Sequence, residues 1–161
     1  METFAKDFIA QLQQHGLTIV EQIEKPWGVS IRIDDAQLDT FLELYYHGVE
    51  LPTFEAGTSQ SPKFLLVAPQ QRLSWQVHER RTEVWKVIKG PVGVIRNEQD
   101  ELPDTIDTFN EGEVVIIGDQ IRHRLVGLQN WGVIAEIWVH KDKTNPSNED
   151  DIRRISDDFG R

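Results

Sequence analysis

Two short segments carry side chains of the types that bind divalent metal ions. Gln76 and His78 lie two positions apart in LSWQVHERRTEVWKVIKG, residues 73–90, and Glu83 follows five positions later. His123 comes from a second segment, EGEVVIIGDQIRHRL. Two imidazoles, one carboxylate and one amide carbonyl make a nitrogen and oxygen site that suits Zn, Mn, Co or Ni. Because Glu83 is the only anion among them, a bound ion keeps positive charge that can polarise a substrate oxygen.

The pattern around these residues predicts short β-strands. Side chains two positions apart on a strand point to the same face, so Gln76 and His78 should point together. Glu83 begins the next predicted strand after a tight connection and should swing back beside them, with Gly90 closing that hairpin. Short apolar or alternating runs predict seven strands, at 63–68, 73–78, 83–89, 92–96, 114–117, 123–126 and 133–139. Many short strands separated by turns indicate a β-sandwich or barrel.

Two helices are predicted before these strands. Residues 4–14 carry apolar side chains at helical spacing, and Gly16 is a natural stop. Gly28 should turn the chain between two short extended runs. A second helix is predicted to begin after Asp34 or the next residue and to end near Gly48.

Two irregular segments flank the strands. Residues 51–62 contain Pro, Gly, Thr and Ser throughout and predict a loop. Residues 141–148 form a polar loop, after which Ser147 or Asn148 could cap a helical turn starting at Glu149. The length of 161 residues fits one domain. We expect helices and loop packed on a barrel, the barrel itself, and a tail, at 1–62, 63–140 and 141–161.

The composition excludes several classes of protein. The sequence has no cysteine, which excludes disulfides, thiolate metal sites and a cysteine nucleophile. Its formal net charge of -10 repels nucleic-acid phosphates and anionic lipid. No stretch approaches the ~18 apolar residues of a membrane span, and the first residues lack the apolar centre of a signal peptide. We therefore expect a cytoplasmic protein that binds neither nucleic acid nor membrane.

The spacing of the first motif resembles that of the cupin family. Cupins have two ligands two positions apart, a Glu four or five beyond, and a Gly seven after the Glu. Gln76, His78, Glu83 and Gly90 match this pattern. The resemblance implies a mainly β fold, a cupin (jelly-roll) barrel, here with one or two N-terminal helices, and one divalent ion on Gln76, His78, Glu83 and His123.

The second cupin motif is matched less fully. It has a Gly, five residues, then a turn and a His, for which Gly112 and His123 stand here. The usual Pro and Gly of the turn are replaced by Gly118 and Gln120. These replacements predict a less rigid turn before His123.

Within the cupins, the first segment is similar to the isomerase domain of type II phosphomannose isomerases. That family reads approximately LSLQ-x-H-x-x-R-x-E-x-W at this point. The matching residues are Leu73, Ser74, Gln76, His78, Arg81, Glu83 and Trp85. Lys63 and Pro69 match the ends of the family's upstream strand, although Gln70 replaces a usual Gly.

Two further elements resemble the same family. Pro26-Trp27-Gly28 matches a Pro-Trp-Gly element near the domain start, and the tail EDDIRRISDDFGR at 149–161 matches EDDI-x-R-x-x-D-x-[YF]-G-R. There are also departures. Gly127 replaces an Asn, and a helix-bearing insertion precedes Lys63. Many relatives carry a sugar-nucleotide pyrophosphorylase domain, but this sequence shows no Gly-rich nucleotide loop.

The resemblance implies a mannose-6-phosphate isomerase, which interconverts mannose 6-phosphate and fructose 6-phosphate. Such a reaction moves one proton between adjacent carbons through a cis-enediol and needs a base near neutral pKa. Glu136 on the last strand and Lys63 on the first are both candidates for that catalytic residue. Arg81, Arg154 and Arg161 occupy family-matched places and are candidates to bind the phosphate. Trp85 shares a strand face with Glu83 and could line the substrate pocket.

Other functions remain open from the sequence. A related isomerase could act on an unphosphorylated sugar such as lyxose or mannose. A cupin dioxygenase would need Fe(II) on His-rich ligands, which Gln76 in a ligand place disfavours. A non-catalytic cupin could bind a sugar without turnover. Cupins often pair, and the N-terminal helix could serve a homodimer.

Overall fold

The computed structural model describes residues 1–161 and consists mainly of β-strands. Its helices are α1 (Thr3–Gln14) and α2 (Leu38–Tyr45), with single 3₁₀ turns at Asp35–Gln37 and Glu149–Asp151. Its strands are β1 (Ile19–Lys25), β2 (Gly28–Ile33), β3 (Ser59–Val67), β4 (Trp75–Val77), β5 (Arg81–Lys89), β6 (Val92–Asn97), β7 (Asp107–Phe109), β8 (Val114–Ile117), β9 (Arg122–Gly127), β10 (Gly132–His140) and β11 (Arg153–Ser156). Neither helix is long and apolar enough to cross a membrane.

The strands form two antiparallel sheets. One has six strands in the order β1-β2-β3-β10-β5-β8, and the other has five in the order β11-β4-β9-β6-β7. The prediction of a mainly β, cupin-type barrel with N-terminal helices is confirmed.

The two faces of the larger sheet bury different side chains. On β3, Leu65 and Val67 point inward to the second sheet, whereas Phe64 and Leu66 point outward beneath the helices. This alternation follows from the two-residue period of a strand. Because both faces are covered, the strand is apolar at successive positions rather than at every second one.

The inward face of the larger sheet is apolar at one end and polar at the other. Along β3 and β10, the inward positions run from Val67 and Ile134 to the buried Lys63 and Glu136. The apolar end packs against the second sheet as a core. A solvated pocket can form at the polar end, because buried polar side chains need hydrogen-bond partners that water or a ligand can supply.

The helices cover the outward face. Phe8 of α1 and Phe41 of α2 pack against Phe64 of β3, and Leu12 of α1 belongs to the same buried cluster. Burying each such side chain contributes about 1.5–3 kcal/mol. The predicted bounds of α1 are confirmed within one residue, and Gly16 ends it with a positive φ of 79°.

The turn between β1 and β2 requires its glycine. A Cβ on Gly28 would lie 1.9 Å from the carbonyl oxygen of Leu66, so no other residue fits without moving β3. The amide of Ala68 also donates to the carbonyl of Trp27 at 2.9 Å. The turn that carries Lys25 and Trp27 is therefore fastened to the end of β3.

Four predictions about the elements need correction. Residues 59–62 belong to β3 rather than to a loop, and β1 and β2 extend the larger sheet rather than only packing on it. The connection 78–80 crosses between the sheets, so β4 and β5 do not form the predicted hairpin. β7 and β11 were not predicted. Both are short, and their side chains are mostly half-buried or exposed, so they lack the apolar alternation of a core strand.

Candidate metal centre and pocket

Three side chains of ligand type meet between the two sheets. Nε2 of His78 lies 3.2 Å from one carboxylate oxygen of Glu83, and Nε2 of His123 lies 3.3 Å from the other. One ligand atom from each residue lies within 4.8 Å of the others. Burial alone would raise the pKa of Glu83, but the guanidinium of Arg81 holds it well below its usual range. The carboxylate is therefore ionised and available to a cation.

The hydrogen bonds of the two imidazoles leave the lone pairs facing the cluster. Nδ1 of His78 lies 3.0 Å from the carbonyl of Asp151, and Nδ1 of His123 lies 3.0 Å from the carbonyl of Ile121. A carbonyl oxygen only accepts, so each Nδ1 carries the proton and each Nε2 a lone pair. Burial, partly opposed by the charge of Glu83, lowers the pKa of His78 to about 3, which keeps it neutral.

The buried Nε2 of His123 has no hydrogen-bond partner. Buried polar atoms are rarely left in this state, and a metal ion bound to the lone pair would satisfy it. The donor set of two neutral imidazoles and one carboxylate is also one that divalent ions such as zinc accept. His78, Glu83 and His123 therefore fit a divalent metal ion.

Gln76 lies beside this cluster. It pairs with His123 between β4 and β9, so the two side chains share a face. Its Oε1 accepts a hydrogen bond from Ser74 at 2.6 Å, and its Nε2 lies 3.3 Å from Nε2 of His78. For Gln76 to act as a fourth ligand, its side-chain amide must rotate by about 180° so that Oε1 replaces Nε2 beside the cluster, because only Oε1 can bind a cation.

Arg81 lies within the cluster rather than in a hairpin loop. It begins β5, is 2% exposed, and donates from Nε to Glu83 at 2.7 Å. Nη2 contacts Nε2 of His78 at 3.0 Å, and Nη1 donates to Ser147 at 2.8 Å. The guanidinium also stacks on Trp138, 3.7 Å from the ring centroid. An ion bound to His78 must displace Nη2, whereas Ser147 and Trp138 can still hold the guanidinium.

The connection that carries His78 is held by Asp151. The Asp151 carboxylate accepts from the backbone amides of Glu79 at 3.1 Å and Arg80 at 3.0 Å. It also accepts from the hydroxyl of Ser147 at 2.6 Å. The 3₁₀ turn of the tail therefore fixes both the backbone after β4 and, through its carbonyl, the His78 ring. Asp151 belongs to the tail motif at 149–161 that resembles the family, and this resemblance was the sequence feature that could have indicated its role.

Two glutamines occupy the left-handed backbone conformation. Gln120 has φ 66°, and its amide donates to the carbonyl of His78 at 2.9 Å. Gln70 has φ 60°. These are the two positions where this sequence has Gln in place of a Gly typical of the resembling motifs. The turns are therefore kept although the residue that best suits them is absent.

Glu136 and Lys63 face the pocket from paired positions on β10 and β3. Nε1 of Trp85 donates both to Glu136 at 2.9 Å and to Glu83 at 3.1 Å, so one indole joins the two carboxylates. Burial and the charge of Glu83 raise the pKa of Glu136 to about 8, against the effect of Lys63. Burial lowers the pKa of Lys63, whose Nζ lies 3.9 Å from Glu149.

Trp85 shares the inward face of β5 with Glu83, as its spacing predicted. It is 1% exposed and lines the pocket beside the metal-type cluster. Trp138, two positions after Glu136 on β10, lies on the same face and also lines it. We did not single out Trp138 from the sequence, although the two-residue period was a signal for it.

The tail arginines lie on the pocket wall. Arg154 pairs with Gln76 between β11 and β4, and Arg161 forms an ion pair with Asp157 at 2.9 Å. Lys25 lines the same pocket from the end of β1 and was missed. Its signal was its place directly before the Pro-Trp-Gly element.

Comparison with known proteins identifies the family. The model of the family "Mannose-6-phosphate isomerase C-terminal" matches residues 34–157. The chain belongs to this family. A relative, the xanthan biosynthesis protein XanB of Xanthomonas campestris pv. campestris, is 27% identical over 159 residues, which are 97% of this chain. The chain spans 28% of the length of that relative.

Solved structures share the fold of this mannose-6-phosphate isomerase C-terminal domain. Oxalate decarboxylase from Bacillus subtilis superimposes with a TM-score of 0.58 at 12% identity, over 83% of this chain and 29% of that one. The capsular polysaccharide assembling protein CapF from Staphylococcus aureus gives 0.53 at 15% identity, over 88% and 34%. At these identities the likeness concerns the cupin fold.

Proposed function

We propose that the protein is a metal-dependent aldose–ketose isomerase that interconverts mannose 6-phosphate and fructose 6-phosphate. One observation carries the proposal: the indole of Trp85 donates both to Glu83 of the metal-type cluster and to Glu136, which is paired with Lys63. The reaction needs both sets, because a proton moves between adjacent carbons while charge develops on neighbouring oxygens.

His78, Glu83 and His123 would hold the ion, with Gln76 beside them as a fourth ligand. When bound, Zn, Mn, Co or Ni supplies positive charge that stabilises the negative charge developing on the sugar oxygens. The backbone carbonyls of Ile121 and Asp151 keep both imidazoles in the tautomer that binds a cation.

Glu136 would carry the proton between the two carbons. Its side chain is buried, so bulk water does not compete for that proton. The indole of Trp85 donates to it and fixes its orientation. Lys63, on the paired position of β3, supplies a positive charge that favours the carboxylate form when the proton is released.

The relatives support a sugar substrate. The matching family is named for mannose-6-phosphate isomerase, and XanB is named for xanthan biosynthesis. CapF, which has the same fold, is named for assembling a capsular polysaccharide. All three names concern carbohydrates or their phosphates.

The decisive experiment offers mannose 6-phosphate to protein loaded in turn with Zn, Mn, Co or Ni, and follows fructose 6-phosphate by NMR. Turnover should disappear with a chelator and in His78→Ala. His47→Ala is the matched control, since His47 is exposed and pairs only with Glu43. Failure of every metal to support turnover, in protein that binds metal, would refute this substrate.

Two alternatives are separated by the same assay. Turnover of unphosphorylated mannose or lyxose, but not of mannose 6-phosphate, would indicate a related isomerase. Saturable sugar binding without turnover of any sugar would indicate a non-catalytic cupin.

A further inference from the structure

The pocket contains more positive charge than its acids can neutralise. Five cationic side chains line it, from Lys25, Lys63, Arg81, Arg154 and Arg161. Arg81 is paired with Glu83, Lys63 lies near Glu149, and Arg161 is paired with Asp157. Lys25 and Arg154 form no ion pair within the protein. In a chain with a net charge of -10, two such unpaired cations beside one cavity are unexpected.

Arg154 is directed at the cavity by its strand. It stands opposite Gln76 in the antiparallel pairing of β11 with β4, so both side chains lie on the pocket side. Its Nε is buried and has no hydrogen-bond partner. A buried guanidinium donor without an acceptor is destabilising, and an anionic oxygen would satisfy it.

Lys25 is held at the same cavity by a rigid turn. Gly28 and the bond from Ala68 to Trp27 fasten the turn to β3, as described above. Lys25 is half-buried, and its partner position on β2 is Gly28, which has no side chain to contact it. Because Lys25 forms no ion pair, its ammonium stays available to a ligand.

We infer that Lys25 and Arg154 form a binding subsite for a phosphate monoester dianion. The planar guanidinium fork suits two phosphate oxygens, and the ammonium adds a compact point charge. Arg81, the arginine that sequence spacing favoured for this role, is instead committed to Glu83, Ser147 and Trp138. This inference rests on the proposed function, because it places the phosphate of the same sugar substrate.

Inorganic phosphate is the probe that tests the subsite without turnover. Calorimetric titration of the metal-loaded wild-type protein should give saturable binding. Lys25→Met and Arg154→Met should each weaken it by at least about fivefold, the loss of one charge-assisted contact. Lys25→Arg, which keeps the charge, should recover most of the affinity and shows that the loss is not misfolding.

Matched controls remove the same charges elsewhere. One control is Lys6→Met, because Lys6 lies on the exposed side of α1. The other is Arg153→Met, because Arg153 is next to Arg154 in the chain but forms an ion pair with Asp100. Both should leave phosphate affinity unchanged. The inference is overturned if wild-type protein does not bind phosphate, or if the controls weaken binding as much as the two test variants.

The kinetic arm separates this inference from the proposed function. With mannose 6-phosphate, Lys25→Met and Arg154→Met should raise KM about fivefold or more and change kcat much less. An active enzyme whose KM is unaffected would overturn the subsite alone. Phosphate binding that depends on both residues in a protein without isomerase activity would support the subsite and refute the reaction.

Discussion

The backbone carbonyl of Asp151 lies 3.0 Å from Nδ1 of His78, across 73 positions of sequence. The tail of the chain therefore orients an imidazole that a much earlier segment contributes. Metal ligands are commonly held by such outer hydrogen bonds, whose loss weakens affinity by about 10–100-fold.

Replacement of Asp151 by Ala removes the acceptor of the Glu79 and Arg80 amides but keeps the carbonyl that contacts His78. The connection that carries His78 is then held less firmly, and metal affinity should fall by about tenfold. Isothermal titration with Zn measures this. Asp150→Ala is the control, since that neighbouring side chain is exposed. Equal affinity in both variants would show that Asp151 does not position the site.

Metal should stabilise the folded protein through His123. Binding at 100 times Kd adds about 2.7 kcal/mol, which for a chain of this size raises Tm by roughly 5–10 °C. His123→Ala should lose most of this rise, because it removes the buried Nε2 that has no partner within the protein and would bind the ion. Thermal unfolding with and without metal gives the result, with His47→Ala as control. A full rise in His123→Ala would exclude it as a ligand.

The proton-carrying role predicts a loss of kcat in Glu136→Gln and in Lys63→Met. Each should fall by at least about tenfold, since general acid–base groups contribute about 10²–10⁴-fold. Steady-state assays with mannose 6-phosphate measure kcat and KM separately. If neither variant slows turnover by this amount, both assignments are wrong.

Glu136 should make the metal-free protein less stable as pH rises. Burial and the charge of Glu83 raise the pKa of Glu136 from 4.5 to about 8. The unfolded chain releases the proton near pH 4.5, whereas the folded protein keeps it until about pH 8, so the free energy of unfolding declines between those values. Tm measured in chelator from pH 5 to 8 should fall more steeply for wild type than for Glu136→Gln. Parallel curves would contradict the shift.

Gln120→Gly should stabilise the protein by up to about 1 kcal/mol. A non-glycine residue at positive φ is disfavoured by about 1–2 kcal/mol, and the greater freedom of unfolded glycine offsets part of that gain. The backbone amide of residue 120, which donates to the carbonyl of His78, is retained in this variant. Gln22→Gly, on the exposed face of β1, should instead destabilise by roughly 0.5–1 kcal/mol. Denaturant unfolding compares the two, and a loss of stability in Gln120→Gly would contradict the argument.

The cluster itself could be predicted because strand periodicity is local. Gln76 and His78 share a face through their spacing, and the apolar runs around Glu83 and His123 mark strands of the barrel. Which sheet each strand joins is not a local property. The sequence therefore did not show that residues 78–80 cross between sheets, or that Arg81 enters the cluster.

The contribution of β11 could not be predicted for a different reason. Its residues, RRIS, are polar and at most half-buried, so they carry neither apolar alternation nor a strong strand preference. They become a strand only because β4 offers an unpaired edge. The pocket position of Lys25 likewise depends on a long-range contact, the approach of Gly28 to β3.

The departure at Gly127 also has a structural reason. A Cβ there would lie 2.1 Å from the carbonyl oxygen of Ala68, so the Asn typical of the resembling motif would not fit without a shift of that segment. The backbone amide of Gly127 donates to the backbone carbonyl of Gln71 at 2.7 Å, which keeps the two segments close.

The dependence of His78 on Asp151 sets an order of events during synthesis. Domains can begin to fold while the ribosome is still extending them. A nascent chain that has just emerged past His123 already contains every ligand of the cluster. It still lacks the carbonyl and carboxylate that hold the first imidazole and its loop. Metal capture at full affinity should therefore come late, after the segment around Asp151 has left the ribosome.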